Sequence, residues 1–285
     1  MRKSIGSLLA LAAALTLAGC GGGGSSHVAS APPPPPPPPP APAIIPGVTA
    51  SQQFAVEGAS HHVTGDAPLL DNADQLQVRY VQASNSYEVQ LPQSQTWVAV
   101  SYNPSATPPG PPNFTGDGVH LWLRSDGLQY SRLIEWSGNS IFGHEAIGMA
   151  TPAGGVPVNG SATYTGQILG ATSETHLTDD MSITGAIALS FNFGAGSLSG
   201  HIDPILNVDF TPYALGTLTF TDTVYSTGST SFAGKFLTNL AGVNSFSGLF
   251  TGPNAQELIG KFAFPYQSPL NGQTHQADGA FVGAK

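Results

Sequence analysis

Phe246-Ser247-Gly248-Leu249-Phe250-Thr251-Gly252-Pro253-Asn254-Ala255-Gln256-Glu257-Leu258-Ile259-Gly260-Lys261-Phe262-Ala263-Phe264 decides the fold. Phe246, Gly248 and Phe250 alternate with Ser245, Ser247 and Thr251; past the Gly-Pro-Asn, Leu258, Gly260, Phe262 and Phe264 alternate with Glu257, Ile259, Lys261 and Ala263. A period of two is that of a β-strand, with one aromatic or aliphatic face centred on glycine and one mostly polar face. Proline presets φ, and glycine and asparagine tolerate positive φ, so Gly252-Pro253-Asn254 is a turn and the stretch is a hairpin.

The same apolar-x-Gly-x-apolar unit recurs at Tyr164-x-Gly166-x-Ile168, Ile183-x-Gly185-x-Ile187, Leu198-x-Gly200-x-Ile202 and Phe232-x-Gly234-x-Phe236, with looser copies at Gly216-x-Leu218-x-Phe220 and Gly279-x-Phe281-x-Gly283. With the hairpin this predicts eight strands, near 161–169, 181–193, 197–206, 214–225, 230–238, 243–251, 256–265 and 274–284. A glycine in mid-strand sacrifices packing, so its repetition implies tight bending or room for a large neighbour. Eight is the strand number at which side chains just fill a closed barrel. The other face carries Thr163, Thr165, Gln167, Ser245, Ser247, Glu257, Lys261 and Asp278, too polar for lipid, so a soluble antiparallel barrel is expected over an outer-membrane barrel with its outward apolar band.

The composition agrees with an all-β chain rich in turns: 285 residues hold 35 Gly and 25 Pro, and only 9% are charged. Cys20 is the only cysteine, which excludes an intrachain disulfide. Net charge is −9, and loss of Arg2 and Lys3 with a leader would take it to −11, which argues against nucleic acid and anionic headgroups as partners.

Residues 1–19 have a short basic start and an apolar run from Ile5 to Leu17, too short to cross a bilayer comfortably but suited to a secretion signal. Leu17-Ala18-Gly19-Cys20 resembles a bacterial lipobox. That resemblance implies cleavage before Cys20, diacylation of its sulfur and acylation, such as palmitate, of its new amine; several acyl chains anchor stably where one would not. Gly21 rather than Asp after the cysteine favours the outer membrane in the usual sorting pattern. Residues 20–47 read as a disordered tether: a Gly/Ser tract, then an unbroken run Pro32–Pro40 in polyproline II, a spacer of roughly 28 Å.

Residues 48–153 are expected to be a second, smaller, mainly-β domain, with strands at Gln75–Val81, Ser86–Leu91, Thr96–Tyr102, Val119–Arg124, Leu128–Trp136 and Ile141–Met149. Ser125-Asp126-Gly127 and Ser137-Gly138-Asn139 read as turns, and proline-rich Pro104–Gly118 as a long loop carrying an exposed Phe114. Thr151–Pro157 divides this region from the barrel, residues 154–285. Trp97, Trp122 and Trp136 are expected in the core, whereas Tyr102 and Phe114, beside and within the loop, are the candidate partner-binding aromatics.

From Gly160-Ser161-Ala162-Thr163-Tyr164-Thr165-Gly166, through Phe250–Phe262, to Asp278-Gly279-Ala280-Phe281-Val282-Gly283-Ala284-Lys285, the chain resembles the transferrin-binding protein B family. The resemblance covers about 125 residues. It implies a lobe in which a handle domain, here residues 48–153, precedes an eight-stranded barrel on a surface lipoprotein. Full family members carry two such lobes; this chain resembles one, and no transferrin contact residues of the family are matched. Iron or haem acquisition is the purpose the resemblance implies.

No Gly-x-Ser-x-Gly elbow, His-Glu-x-x-His, phosphate loop or paired-cysteine site occurs, and His144-Glu145 lacks a second histidine four residues on. His61-His62 and His120 are expected to lie on the surface, since adjacent strand residues face opposite ways and cannot share one ion. Asp71, Asp74, Asp179 and Asp180 lack the spacing of a calcium loop and read as turn residues. The expectation is a monomeric, non-enzymatic, lipid-anchored outer-membrane protein, exposed at the cell surface, that captures a protein or an iron or haem carrier. It carries no metal or cofactor; the alternative is a haem or small-solute binder using the barrel mouth or an interdomain pocket.

Overall fold

The computed structural model describes residues 42–64, 67–68, 75–104, 111–125, 127–174 and 181–285. Residues 41–285 form one compact unit. Among the described residues every regular element is a strand, arranged in two antiparallel sheets.

The first sheet holds β1 (Gln52–Gln53), β2 (Ala55–Thr64), β3 (Ala67–Pro68), β4 (Gln77–Val81), β5 (Ser86–Gln90), β6 (Val98–Tyr102), β7 (Asn113–Gly116), β8 (Val119–Leu123), β9 (Ser131–Gly138) and β10 (Ile141–Gly148). Its spatial order is β1-β4-β5-β6-β7-β8-β9-β10-β2-β3. From β4 to β10 this is a simple meander. The segment Gln52–Thr64 then pairs at both ends of it: Gln52 opposes Tyr80 on β4, while Ala55 to His62 oppose Gly148 to Ile141 on β10. Only Phe54 separates the two pairings, and its N–H donates to Val78 O at 2.9 Å. The sheet therefore curls round on itself, and Ile45, Phe54, Val78, Val89, Leu121, Ile134 and Trp136 fill its inside.

The second sheet holds β11 (Ser161–Thr172), β12 (Met181–Asn192), β13 (Ser197–Val208), β14 (Thr211–Ala214), β15 (Leu218–Val224), β16 (Ser231–Phe236), β17 (Ser245–Thr251), β18 (Glu257–Gln267) and β19 (Thr274–Ala284). β11 pairs with both β12 and β19, and β12 also pairs with β13 along its whole length, so the sheet closes. Eight strands make the ring, each beside its neighbour in sequence; β14 is a short spur on β13, split from β15 where Gly216 turns with φ 86°. The expected barrel is present with strand ends shifted by a few residues.

Aromatic rings fill its lumen. Phe250 lies against Tyr164, Phe191, Phe193, Tyr225 and Phe232, with centroids 4.8–6.1 Å apart. The mid-strand glycines are the floor on which rings rest: a Cβ on Gly260 would run into Phe281, on Gly248 into Phe232, on Gly234 into Phe246 and on Gly200 into Phe220. Gly248 and Gly260 are directly paired across β17 and β18, which puts two of these seats side by side. On β13 the outward positions Ser197 and Ser199 are exposed, and His201, Asp203 and Asn207 are half-buried.

Three expectations need correction. Asn113–Gly116 is a strand, because its backbone pairs with β6 and β8, so the expected loop shrinks around residues 105–110, which lie outside the described residues. The turn after β9 uses Asn139 and Ser140, both at positive φ, one residue later than expected. Glu257 and Ile259 are buried although the alternation placed them on the polar face, because the first sheet covers that side of the barrel. Cys20, the leader, the tether and Asp71, Asp74, Asp126, Asp179 and Asp180 lie outside the described residues.

Candidate functional site

The two sheets meet where the outer face of β2, β9 and β10 lies on the outer face of β11, β18 and β19. Alternation along β10 sends Ile141, Gly143, Glu145 and Ile147 into the first sheet's core and Phe142, His144 and Ala146 out toward the barrel. Leu133, Ala146, Leu169, Ile259, Ala280 and Val282 form an apolar seam between the sheets.

Polar bridges surround that seam. His61 Nε2 lies 2.9 Å from Asp278 Oδ1, joining β2 to β19. Lys261 Nζ stands 3.7 Å from Glu57 Oε2, an ion pair too long for a hydrogen bond, and burial raises the Glu57 pKa while Lys261 opposes the shift. The Glu257 carboxylate accepts from the N–H of Gln129 at 2.7 Å, the N–H of Tyr130 at 3.0 Å and the Ser131 hydroxyl at 2.6 Å. Gly252 N–H donates to Met149 O at 2.8 Å and Thr151 Oγ1 to Gly252 O at 2.8 Å, so the opening hairpin's turn is itself clamped to the end of the first sheet.

Beside the seam the sheets separate into a cleft of about 820 Å³, lined from the first sheet by Arg124, Leu133, Glu135, Phe142 and His144 and from the barrel by residues of β11, β12 and β13. Phe142 sits between two imidazoles, with centroids 5.5 Å from His61 and 5.7 Å from His144. His144 is buried, its Nδ1 has no hydrogen-bond partner, and its pKa is pushed down to about 3, chiefly by burial and then by His61. The imidazole is therefore neutral at physiological pH.

Its neighbour Glu145 points the other way and is fully buried. Its Oε1 accepts from Ser60 Oγ at 2.6 Å and Leu76 N–H at 3.1 Å. Burial outweighs these bonds and pushes the carboxyl up to about 7. Oε2 makes no hydrogen bond of normal geometry, nor does the indole N–H of Trp136, although the indole still favours the ionised form.

Phe114 is buried at 4% exposure in the first sheet's core, not exposed as expected, because its place on β7 turns it inward. Tyr102, opposite it on β6, is half-buried, with ring centroids 5.8 Å apart. His61 is buried at the interface rather than on the surface, while His120 is exposed and stacks on Trp122. Trp136 is fully buried; Trp97 is half-buried, with the Arg79 guanidinium 4.1 Å over its ring. No group of three or more metal-ligating side chains occurs among the described residues. Glu257 and Asp278 had no local signal, since their partners are 126 or more residues away, and the burial of His144 depends on the barrel docking over β10.

Residues 156–285 match the family model for the C-lobe and N-lobe β-barrels of transferrin-binding protein B. This barrel is of the transferrin-binding protein B type. Solved transferrin-binding protein B structures align with 81–84% of the chain at low identity. They include a vaccine-antigen mutant from Haemophilus parasuis Hp5 (18% identity, TM-score 0.41, covering 81% of this chain and 44% of that one). The intact two-lobe protein designated Ap gives 15%, 0.44, 81% and 45%, and the isotype 1 protein of serogroup B Neisseria meningitidis 16%, 0.46, 84% and 44%. The chain thus spans less than half the length of these structures. A search of curated proteins finds no match. The barrel of the transferrin-binding protein B type begins just after the Ala150–Thr251 bridge that ties β17 to the exit of the first sheet.

Proposed function

We propose that the protein is a non-enzymatic, lipid-anchored binding protein of the outer-membrane surface that captures a protein ligand, in the manner the matched family's name describes for transferrin. The observation that carries this reading is the family match of the whole barrel, residues 156–285. The aromatic lumen and the clamped seam support a rigid body, from which loops and the far edge of the first sheet meet a partner. The polar outward positions of β13 support a barrel that faces water, leaving attachment to the acyl chains on Cys20. The ligand is a host or environmental protein, transferrin or another iron or haem carrier, and the Gly and Pro tether sets the reach of capture.

The test uses the full chain with Cys20→Ser, immobilised and exposed to serum and to iron-limited culture medium. Retention of a defined protein at near-stoichiometric yield is the expected result. Retention of nothing beyond a blank matrix from either source refutes the reading. In cells, wild-type protein partitions with outer membranes and incorporates labelled palmitate, whereas Cys20→Ser does neither.

A further inference from the structure

The cleft between the sheets has the volume of a site for a drug-sized molecule, about 820 Å³. Leu133 and Phe142 from the first sheet and Leu169, Met181 and Ile205 from the barrel give it apolar patches, set among the polar side chains of Gln167, Ser182, Thr184 and Asn207. Its two charged side chains satisfy each other: Arg124 Nε donates to Glu135 Oε2 at 2.8 Å, within an ion pair. An anionic ligand would therefore have to break that pair or stay unpaired against hydrocarbon, which disfavours it.

One buried polar atom on the wall is unmatched. His144 is buried, and its Nδ1 has no hydrogen-bond partner. In the neutral tautomer that carries its proton on Nε2, the bare lone pair is on Nδ1, the nitrogen without a partner. A buried acceptor without a donor requires an explanation, because it gives up its bond to water and gains nothing. A ligand that repairs it must bring a donor without bringing charge.

We propose that this cleft binds a neutral, largely apolar alcohol or phenol, whose hydrocarbon frame lies against Leu133, Phe142 and Leu169 and whose hydroxyl donates to His144 Nδ1. The site is separate from protein capture, so it stands or falls without that reading.

The purified full chain is titrated with N-phenyl-1-naphthylamine, a neutral fluorescent reporter, and the reporter is displaced with 4-octylphenol, its methyl ether, octanoate or hemin. Saturable reporter binding is expected, with the phenol displacing at roughly five- to tenfold lower concentration than the ether, the size of one net hydrogen bond. Octanoate and hemin should compete weakly. His144→Leu should erase the preference for the phenol while keeping the reporter, and Ser182→Trp, which fills the barrel side, should abolish reporter binding. Absence of saturable binding, equal displacement by phenol and ether, or reporter binding unchanged in Ser182→Trp would overturn the proposal. Displacement by hemin with a shifted Soret band would overturn the neutral-ligand class. Should either variant fail to fold, the comparison of phenol with ether on the wild-type chain decides.

Discussion

Replacing Glu145 with glutamine should make the protein more stable at neutral and alkaline pH and leave it nearly unchanged in acid. Burial raises this carboxyl from its ordinary 4.5 to about 7 in the folded chain. The stability linked to such a group is fully present below the unfolded-state value and is lost as pH rises through the folded-state value. At about 1.4 kcal/mol per tenfold change in proton affinity, the interval from 4.5 to about 7 is worth about 3 kcal/mol. The amide resembles the protonated acid: one oxygen still accepts from Ser60 and Leu76, and no charge appears at high pH. The assay is urea unfolding of both proteins at pH 4.5, 6 and 8. The stability of Glu145→Gln relative to wild type should be smallest at pH 4.5 and should rise by about 3 kcal/mol by pH 8. A difference flat with pH, or one that falls as pH rises, would show that Ser60 and Leu76 hold the carboxylate ionised and that the burial argument fails.

His144 should give the opposite dependence, since its folded pKa is depressed to about 3: its contribution is complete above about 6.5 and is lost as pH falls toward 3, a loss that His144→Gln abolishes in the same unfolding series. Gly260→Ala should destabilise by about 1–3 kcal/mol, because the new methyl collides with the Phe281 ring and the Ser247 carbonyl, and pairing it with Phe281→Leu, which relieves only the first, should recover part of the loss in thermal unfolding. Glu257→Ala removes the acceptor of the Gln129 and Tyr130 N–H groups and of the buried Ser131 hydroxyl and should cost about 1–3 kcal/mol; hydrogen exchange should then quicken at Gln129–Ser131 first. Phe250→Ala opens the centre of the aromatic lumen and should cost about 3–5 kcal/mol, measured by the same unfolding.

The barrel was legible in the sequence because an up-and-down meander pairs each strand with its neighbour. The alternation of Phe246, Gly248 and Phe250 with serines therefore records the local structure and the closed sheet together. The first sheet was harder to read. Ala55–Thr64 has no clean alternation, since Val56 faces one core and Ala55, Glu57 and His61 face the other sheet, so both sides of β2 are covered. Phe114 was misplaced for a related reason: prolines nearby mark a loop, but Asn113–Gly116 gains its strand character from pairing with β6 and β8. The cleft has no sequence signature at all. His144 and Glu135 come together by register on adjacent strands, while Leu169 and Met181 arrive from the barrel, and only the docking of two sheets brings these four to one place.

The central claim, that a barrel of the transferrin-binding protein B type here serves a protein-capturing molecule, is tested most directly by the mass of the complex in solution. The chain with Cys20→Ser is mixed with the protein it retains from serum or culture medium and passed through size exclusion with light scattering. The expected result is a single peak whose mass is that of one 29.2 kDa chain, less its leader if cleaved, plus one partner. Two peaks at the separate masses, at concentrations of tens of micromolar, would contradict it.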